Sequence, residues 1–241
     1  MRENVLRDRL FDRYAKGGSR FARFRSVIYY IFKRYSWHLV IKSTLIIKRC
    51  FDVILSILLI LALSPVFLIT VLFIKVEDWG PVIYCQQRVG LKGKRFIIYK
   101  FRSMITDADR IRNDLDNLNE TQSLIFKIKK DPRLTRTGKI IRKLSIDELP
   151  QLFNVLKGDM SIVGPRPPIP SEVSQYRLRD LKRLDVTPGL TCFWQVSGRS
   201  NIGFDGQVDL DLQYIESQSI WTDIKLLFKT IPAVLTGKGA Y

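Results

Sequence analysis

The sequence predicts an α+β chain that is mostly helical: a re-entrant membrane helix-break-helix joined to a cytoplasmic globular domain with a small β-hairpin and amphipathic interfacial helices. Three observations carry that prediction. Residues 53–74 form an uncharged, overwhelmingly apolar run with Ser64-Pro65 at its middle. Two β-rich stretches, Val82-Ile83-Tyr84 and Phe96-Ile97-Ile98-Tyr99, flank the turn-forming Gly90-Leu91-Lys92-Gly93-Lys94. Most of the remainder places apolar residues at helical spacing between glycine and proline breaks.

Residues 1–47 make a basic segment rich in aromatics (Phe21, Phe24, Tyr29, Tyr30, Phe32, Tyr35, Trp37). That composition suits a segment lying on a headgroup layer, and one or two interfacial helices are expected there. Residues 48–75 are the membrane element. A spanning helix needs roughly 20 apolar residues, so the length suffices, but a central proline removes a backbone donor and clashes with the preceding turn. Lysine and arginine cluster on both sides, from Arg20 to Arg49 before the run and from Lys75 to Arg95 after it. The charge bias that orients a spanning helix therefore selects no side. A helix that enters and leaves by the cytoplasmic face satisfies both observations; a kinked spanning helix is the alternative. A secretory signal is not expected, because the run begins some 50 residues in and no small-residue cleavage site follows it.

Residues 76–241 suffice for one domain with its own core. After the hairpin signal come a helical pattern over 107–118, a basic connector over 124–138 and a short helix within 145–156, closed by a turn at Gly158-Asp159. A proline-rich loop, 164–168, precedes a basic helix over 171–184. A Pro188-Gly189 turn and an irregular stretch through Gly198-Arg199 lead to helices over 207–216 and 221–235.

The net charge of +17 calls for an anionic partner: nucleic acid, anionic membrane lipids or a phosphorylated substrate. The apolar run favours the last two over nucleic acid. Cys50, Cys85 and Cys192 are scattered and His38 is the sole histidine, so neither a zinc site nor a disulfide framework is expected.

The strongest chemical candidate is the pair Asp147-Glu148, set in Arg142-Lys143-Leu144-Ser145-Ile146-Asp147-Glu148-Leu149-Pro150. Neighbouring carboxylates point about 100° apart on a helix, so one can face a substrate while the other holds a metal. Ser145-x-x-Glu148 also matches a capping box, and that reading stays open. Pro150 favours a helix beginning around Leu149, which would put the pair at the helix's positive end. Nearby cations and the helix dipole then favour the ionised carboxylate that a nucleophile requires.

A second candidate is Arg166 in Val163-Gly164-Pro165-Arg166-Pro167-Pro168, where prolines fix the backbone around a side chain suited to bidentate phosphate recognition. A rigid turn with a solvated arginine is the competing reading. Lys100, Arg102, Arg142 and Arg199 are further candidate phosphate contacts. Asp107-Ala108-Asp109 and Asp209-Leu210-Asp211 look like DxD metal clamps, although the first opens a helical pattern, where acidic residues are common. Gly90-x-x-Gly93-Lys94 lacks the spacing of a P-loop and reads as a hairpin turn.

Taken together, several motifs resemble the bacterial sugar transferase family, the monotopic polyprenyl-phosphate phosphoglycosyl transferases. They are Lys48-Arg49-Cys50-Phe51-Asp52, Ser64-Pro65, Gln87-Arg88-Val89-Gly90, Tyr99-Lys100-Phe101-Arg102-Ser103-Met104, Ser145-Ile146-Asp147-Glu148-Leu149-Pro150-Gln151-Leu152-Phe153-Asn154-Val155 and Gly158-Asp159-Met160-Ser161-Ile162-Val163-Gly164-Pro165-Arg166-Pro167. The resemblance runs from about Lys48 to the C-terminus and implies transfer of a sugar 1-phosphate from a UDP-sugar to undecaprenyl phosphate, with release of UMP and use of Mg²⁺. It implies Asp147 as nucleophile, Glu148 as metal-binding or supporting carboxylate, and Arg166, Arg142 and Lys100 as phosphate contacts. It also implies a bacterial inner-membrane location with the active site on the cytoplasmic face; a homodimer is a candidate assembly. Larger members carry more before this unit, so the chain resembles the minimal form with a basic N-terminal addition.

Three rivals remain at this point. A membrane-tethered DxD-type glycosyltransferase would use the acidic triplets. A membrane-tethered nucleic-acid-binding protein would explain the charge and bind in a salt-sensitive way. A non-catalytic basic membrane scaffold would tolerate substitution of Asp147 and Glu148.

Overall fold

The computed structural model describes residues 20–111, 131–198 and 202–236. The chain divides into two compact units, Met1–Arg49 and Cys50–Tyr241. Helix α1 is Arg20–Ala62. No glycine or proline interrupts that range. In the first unit Phe24, Tyr29 and Phe32 are exposed.

In the second unit the apolar run breaks where proline dictates. Helix α2 (Ser64–Glu77) begins with Pro65 in its first turn, where a missing N–H costs little. The proline leaves the Leu61 carbonyl without its usual donor, and the Ser64 hydroxyl donates to that carbonyl at 2.8 Å. The Ser-Pro dipeptide thus supplies both the break and the repair. Among the described residues no single helix is long and apolar enough to cross a membrane; Ser43–Ala62 and Ser64–Glu77 reach that length together, bent by 60°.

The hairpin forms as expected. Strand β1 (Ile83–Val89) pairs antiparallel with β2 (Arg95–Phe101), with Cys85 opposite Tyr99, and a short 3₁₀ turn at Leu91–Gly93 joins them. Of the expected helix over 107–118 the described part is α3 (Ala108–Ile111); the rest lies outside the described residues, as does much of the 124–138 connector. The end of that connector is helical: Thr135 caps α4 (Arg136–Lys143), its hydroxyl accepting from Gly138 N at 2.9 Å. Both carboxylate oxygens of Glu77, at the end of α2, accept from the same helix start, through Arg136 N and Thr137 N at 2.6 and 2.9 Å.

A 3₁₀ turn, Ile146–Glu148, leads to α5 (Gln151–Lys157). Gly158 closes α5 at φ 91°, a left-handed conformation that glycine adopts without strain. Strand β3 (Ser161–Val163) follows, then the proline-rich loop. The single basic helix expected over 171–184 is instead α6 (Pro170–Val173), α7 (Leu178–Leu181) and a 3₁₀ turn at Lys182–Asp185. Each short helix is started by its own acid: Glu172 accepts from Ile169 N, and buried Asp180 accepts from Arg177 N. Beyond the Pro188-Gly189 turn, β4 (Gly189–Thr191) pairs in parallel with β3, and α8 (Phe193–Ser197) occupies the stretch read as irregular. Helices α9 (Phe204–Glu216) and α10 (Ile220–Thr236) close the fold.

The main core joins Phe96 and Ile98 of β2, Val155 of α5, Ile162 and Val163 of β3, Tyr214 of α9 and Leu226 of α10, with Leu55 and Leu59 of α1 packed against it. Buried Asp52 adds a polar tie, accepting from Ile162 N at 3.1 Å. A second cluster, Ile74, Phe101 and Ile141, packs with Phe67, Ile146 and Leu149. It seats the turn carrying Asp147 and Glu148 on the second half of the broken apolar helix.

Candidate active site

The site is built on the Ile146–Glu148 turn. Ser145 enters it in the left-handed region (φ 55°) and its side chain makes no capping bond. The capping-box reading therefore fails: the Glu148 carboxylate is taken by Lys100, whose Nζ donates to Oε1 at 2.6 Å from across the domain on β2. The helix expected from Leu149 starts at Gln151, with Pro150 as its cap, so the pair precedes the helix in the tighter turn. That turn points the carboxylates differently: Asp147 is buried and Glu148 half-buried.

Two elements fix the distance between the turn and Lys100. Asn154 of α5, with no exposed surface, receives Tyr99 N on Oδ1 at 3.0 Å and donates Nδ2 to Ile97 O at 2.6 Å. Its amide thus acts as a strand partner for β2 and docks α5 on the hairpin. Phe101 on β2 and Leu149 after the turn share the second apolar cluster.

Burial reverses the expectation that Asp147 is simply a stabilised anion. Burial is the largest influence and pushes its pKa up to about 6; Lys100 opposes this, Glu148 adds to it and Arg142 opposes it. For Glu148 burial also acts upward, but Lys100 by charge and hydrogen bond, then Arg166 and Arg88, outweigh it and its pKa is lowered. Glu148 is the firmly ionised member and Asp147 the strained one.

Arg166 reaches this group from the loop between β3 and α6. The loop is set by a close backbone approach: a Cβ on Gly189 would lie 2.0 Å from Gly164 N, and one on Gly164 would lie 2.5 Å from Thr187 O. Two glycines let β3 and β4 meet here, and the chain then turns through Pro165 to present Arg166. Its guanidinium lies 5.9 Å from the Trp194 ring centroid, half-buried and with no carboxylate partner among the described residues.

The structure thus brings Asp147, Glu148, Lys100, Arg142 and Arg166 together. Arg102 is a correction: its buried guanidinium is held by Asp78 at 3.1 Å, with Thr106 at 3.0 Å and Asp78 O at 3.0 Å, so it ties the exit of α2 to the hairpin. Arg199 lies outside the described residues. The DxD reading of Asp209-Leu210-Asp211 also fails, because successive acids on α9 diverge: Asp211 is fully buried against Arg183 at 2.6 Å, while exposed Asp209 pairs with Arg179. Asp107 pairs with Arg110 at 3.6 Å on the surface.

One residue was missed. Arg88 is buried on β1, donating to Pro167 O at 3.1 Å and to Gln86 Oε1 at 2.6 Å. Burial and the neighbouring Arg166 pull its pKa down to about 10. In the sequence Arg88 counts among the flanking cations and falls within the motif Gln87-Arg88-Val89-Gly90; its place in a strand register opposite Phe96 is what marks it as interior.

Among the described residues no cluster of three or more acidic, histidine or cysteine side chains could hold a metal ion. Mg²⁺, however, is commonly held by one or two carboxylates with substrate phosphate oxygens and water completing its shell, and Asp147 with Glu148 fit that donor set.

The chain is 49% identical over 218 residues to "Galactosyl transferase CpsE" of Streptococcus agalactiae, covering 89% of this chain and 47% of that protein. It is 45% identical to "Undecaprenyl-phosphate galactose phosphotransferase" of Salmonella typhimurium, covering 83% of this chain and 43% of that one. To "Exopolysaccharide production protein ExoY" of Sinorhizobium fredii it is 41% identical, covering 80% of this chain and 88% of that protein. It thus spans about half the length of the first two relatives and most of the third. The family profile described as "Bacterial sugar transferase" matches residues 43–237, and with a carboxylate pair, a cationic surround and a broken apolar helix in that region, the chain belongs to the bacterial sugar transferase family.

Proposed function

We propose that this chain transfers a sugar 1-phosphate from a UDP-sugar to undecaprenyl phosphate, releasing UMP, at the cytoplasmic face of a bacterial inner membrane. The observation that carries the reading is the buried Asp147 beside Glu148 within reach of Lys100, Arg142 and Arg166, on a turn packed against the broken membrane helix. Relatives named for undecaprenyl-phosphate galactose and glucose phosphotransfer support the substrate class. The 60° bend at Ser64-Pro65 supports a re-entrant helix, which would put the site at headgroup level where a lipid phosphate and a soluble nucleotide can both arrive. The basic surface suits anionic lipids.

The chain's own residues account for the steps. Arg166 and Lys100 bind and orient the diphosphate. A carboxylate oxygen of Asp147 attacks the β-phosphorus; an O–P bond forms, the P–O bond to the bridging oxygen breaks, and UMP leaves with that oxygen. Asp147 needs no general base, because its raised pKa still lies below neutral pH. A lipid phosphate oxygen then attacks the same phosphorus, restoring the carboxylate and giving the lipid diphosphosugar. Mg²⁺ bound by Asp147 and Glu148 would offset the repulsion between carboxylate and diphosphate.

The test is order of release. Enzyme incubated with sugar-labelled UDP-sugar and no lipid should release UMP and keep label on the denatured chain, and Asp147→Asn should abolish both. Intersecting double-reciprocal lines with no trapped label would leave Asp147 only a metal-binding role.

A further inference from the structure

Arg88 spends a buried guanidinium where, among the described residues, no carboxylate pairs with it. It is 6% exposed, its partners are the neutral Pro167 carbonyl and the Gln86 amide oxygen, and its Nε is buried with no hydrogen-bond partner. A buried cation left this way is costly. Its contacts fall on the loop that presents Arg166: Arg88 Nη1 holds the carbonyl of the next residue, Pro167, and the adjacent Val89 N donates to Pro168 O at 2.9 Å. Strand β1 therefore grips both residues that follow Arg166, and Arg166 is the charge that acts most strongly on Arg88. Two guanidiniums side by side repel each other, and a phosphate relieves that repulsion.

We infer that Arg88 is a positioning residue for the donor's phosphates: it fixes the 164–168 loop so that the Arg166 fork is held ready. The inference rests on the reading that Arg166 meets the donor's diphosphate. The Gln86 bond orients the Arg88 fork, and lysine cannot reproduce a fork that spans Pro167 O and Gln86 Oε1. Replacement of Arg88 should therefore be felt through Arg166.

The experiment is calorimetric binding of UDP, with Mg²⁺, to the full chain in lipid discs for wild type, Arg88→Met, Arg166→Met and the double variant. Arg166→Met and Arg88→Met should each weaken UDP about tenfold, and the double variant should match Arg166→Met within about twofold. A double variant that loses about a hundredfold, the product of two independent contacts, overturns the inference, as does an Arg88→Met that binds like wild type; in both cases the reading of Arg166 stands. If Arg166→Met itself binds UDP normally, that reading fails and the inference with it. Should Arg88→Met not fold, Gln86→Leu on the half-buried face of β1 removes only the orienting bond. It should weaken UDP in the wild-type background and have no effect with Arg166→Met; an equal loss in both backgrounds overturns the inference.

Discussion

Lys100 Nζ and Glu148 Oε1 are 2.6 Å apart, though 48 residues separate them in the chain. This ion pair bridges the hairpin and the Ile146–Glu148 turn, and Lys100 is also the main cation opposing the burial of Asp147. Lys100→Met should therefore act on Asp147 as well as on Glu148. In the proposed mechanism Asp147 attacks ionised, so wild-type activity should fall as pH drops through about 6. Without Lys100 the Asp147 pKa rises further, and the acid limb of the kcat/KM profile should move to higher pH, with lower activity at pH 7. A profile displaced only in height would mean Lys100 contacts substrate without tuning Asp147.

Asp147 itself should cost stability. Its folded pKa is raised above the ordinary value of 3.8, so the associated stability is present below that value and is lost as pH rises through about 6. Asp147→Asn removes the loss. At pH 7.5 the variant should be more stable than wild type by on the order of 2 kcal/mol, read as a higher Tm, and the difference should shrink toward zero by about pH 4. A Tm gain that does not depend on pH would point to packing rather than charge.

Gly189 has no room for a side chain, since a Cβ there would sit 2.0 Å from Gly164 N. Gly189→Ala should push β4 from β3, displace the Arg166 loop, lower stability by about 1–3 kcal/mol and cost more activity than stability. Gly93, where nothing lies within 4 Å of such a Cβ, is the control: alanine there should cost only backbone strain from φ 79° and leave turnover near wild type.

Pro65→Leu should restore the backbone bond that the proline forbids and straighten α1 into α2. In a background lacking Cys50, Cys85 and Cys192, cysteines placed at Ser36 and Thr236 should both resist a membrane-impermeant reagent added from outside. Pro65→Leu should expose one of them in part of the population. Labelling of one position alone in the unsubstituted chain would mean the bent pair spans the bilayer.

Much of this protein is legible from local chemistry. Pro65 lacks a donor in any helix, so the break at Leu63 follows from one residue. Two β-rich stretches flank Gly90-Leu91-Lys92-Gly93-Lys94, so the hairpin follows from composition and glycine. The helices ending at Glu216 and Thr236 follow from apolar spacing. Asp147-Glu148 and Arg166 stand out because acids among cations and an arginine among prolines are unusual in any context.

What the sequence could not decide is whatever depends on who lies opposite. The three-residue strands β3 and β4 carry no periodicity of their own; they exist because Gly164 and Gly189 let two distant backbones touch. Lys100, Arg102 and Arg88 are three cations within one hairpin and its edge, yet one faces Glu148, one is held by Asp78 and one is buried under the Arg166 loop. The sequence alone put Asp147 in a field of cations and so made it an easy anion. The tertiary structure placed it out of water, and desolvation, which depends on every atom packed around a group rather than on its neighbours in the chain, outweighs those cations and raises its pKa.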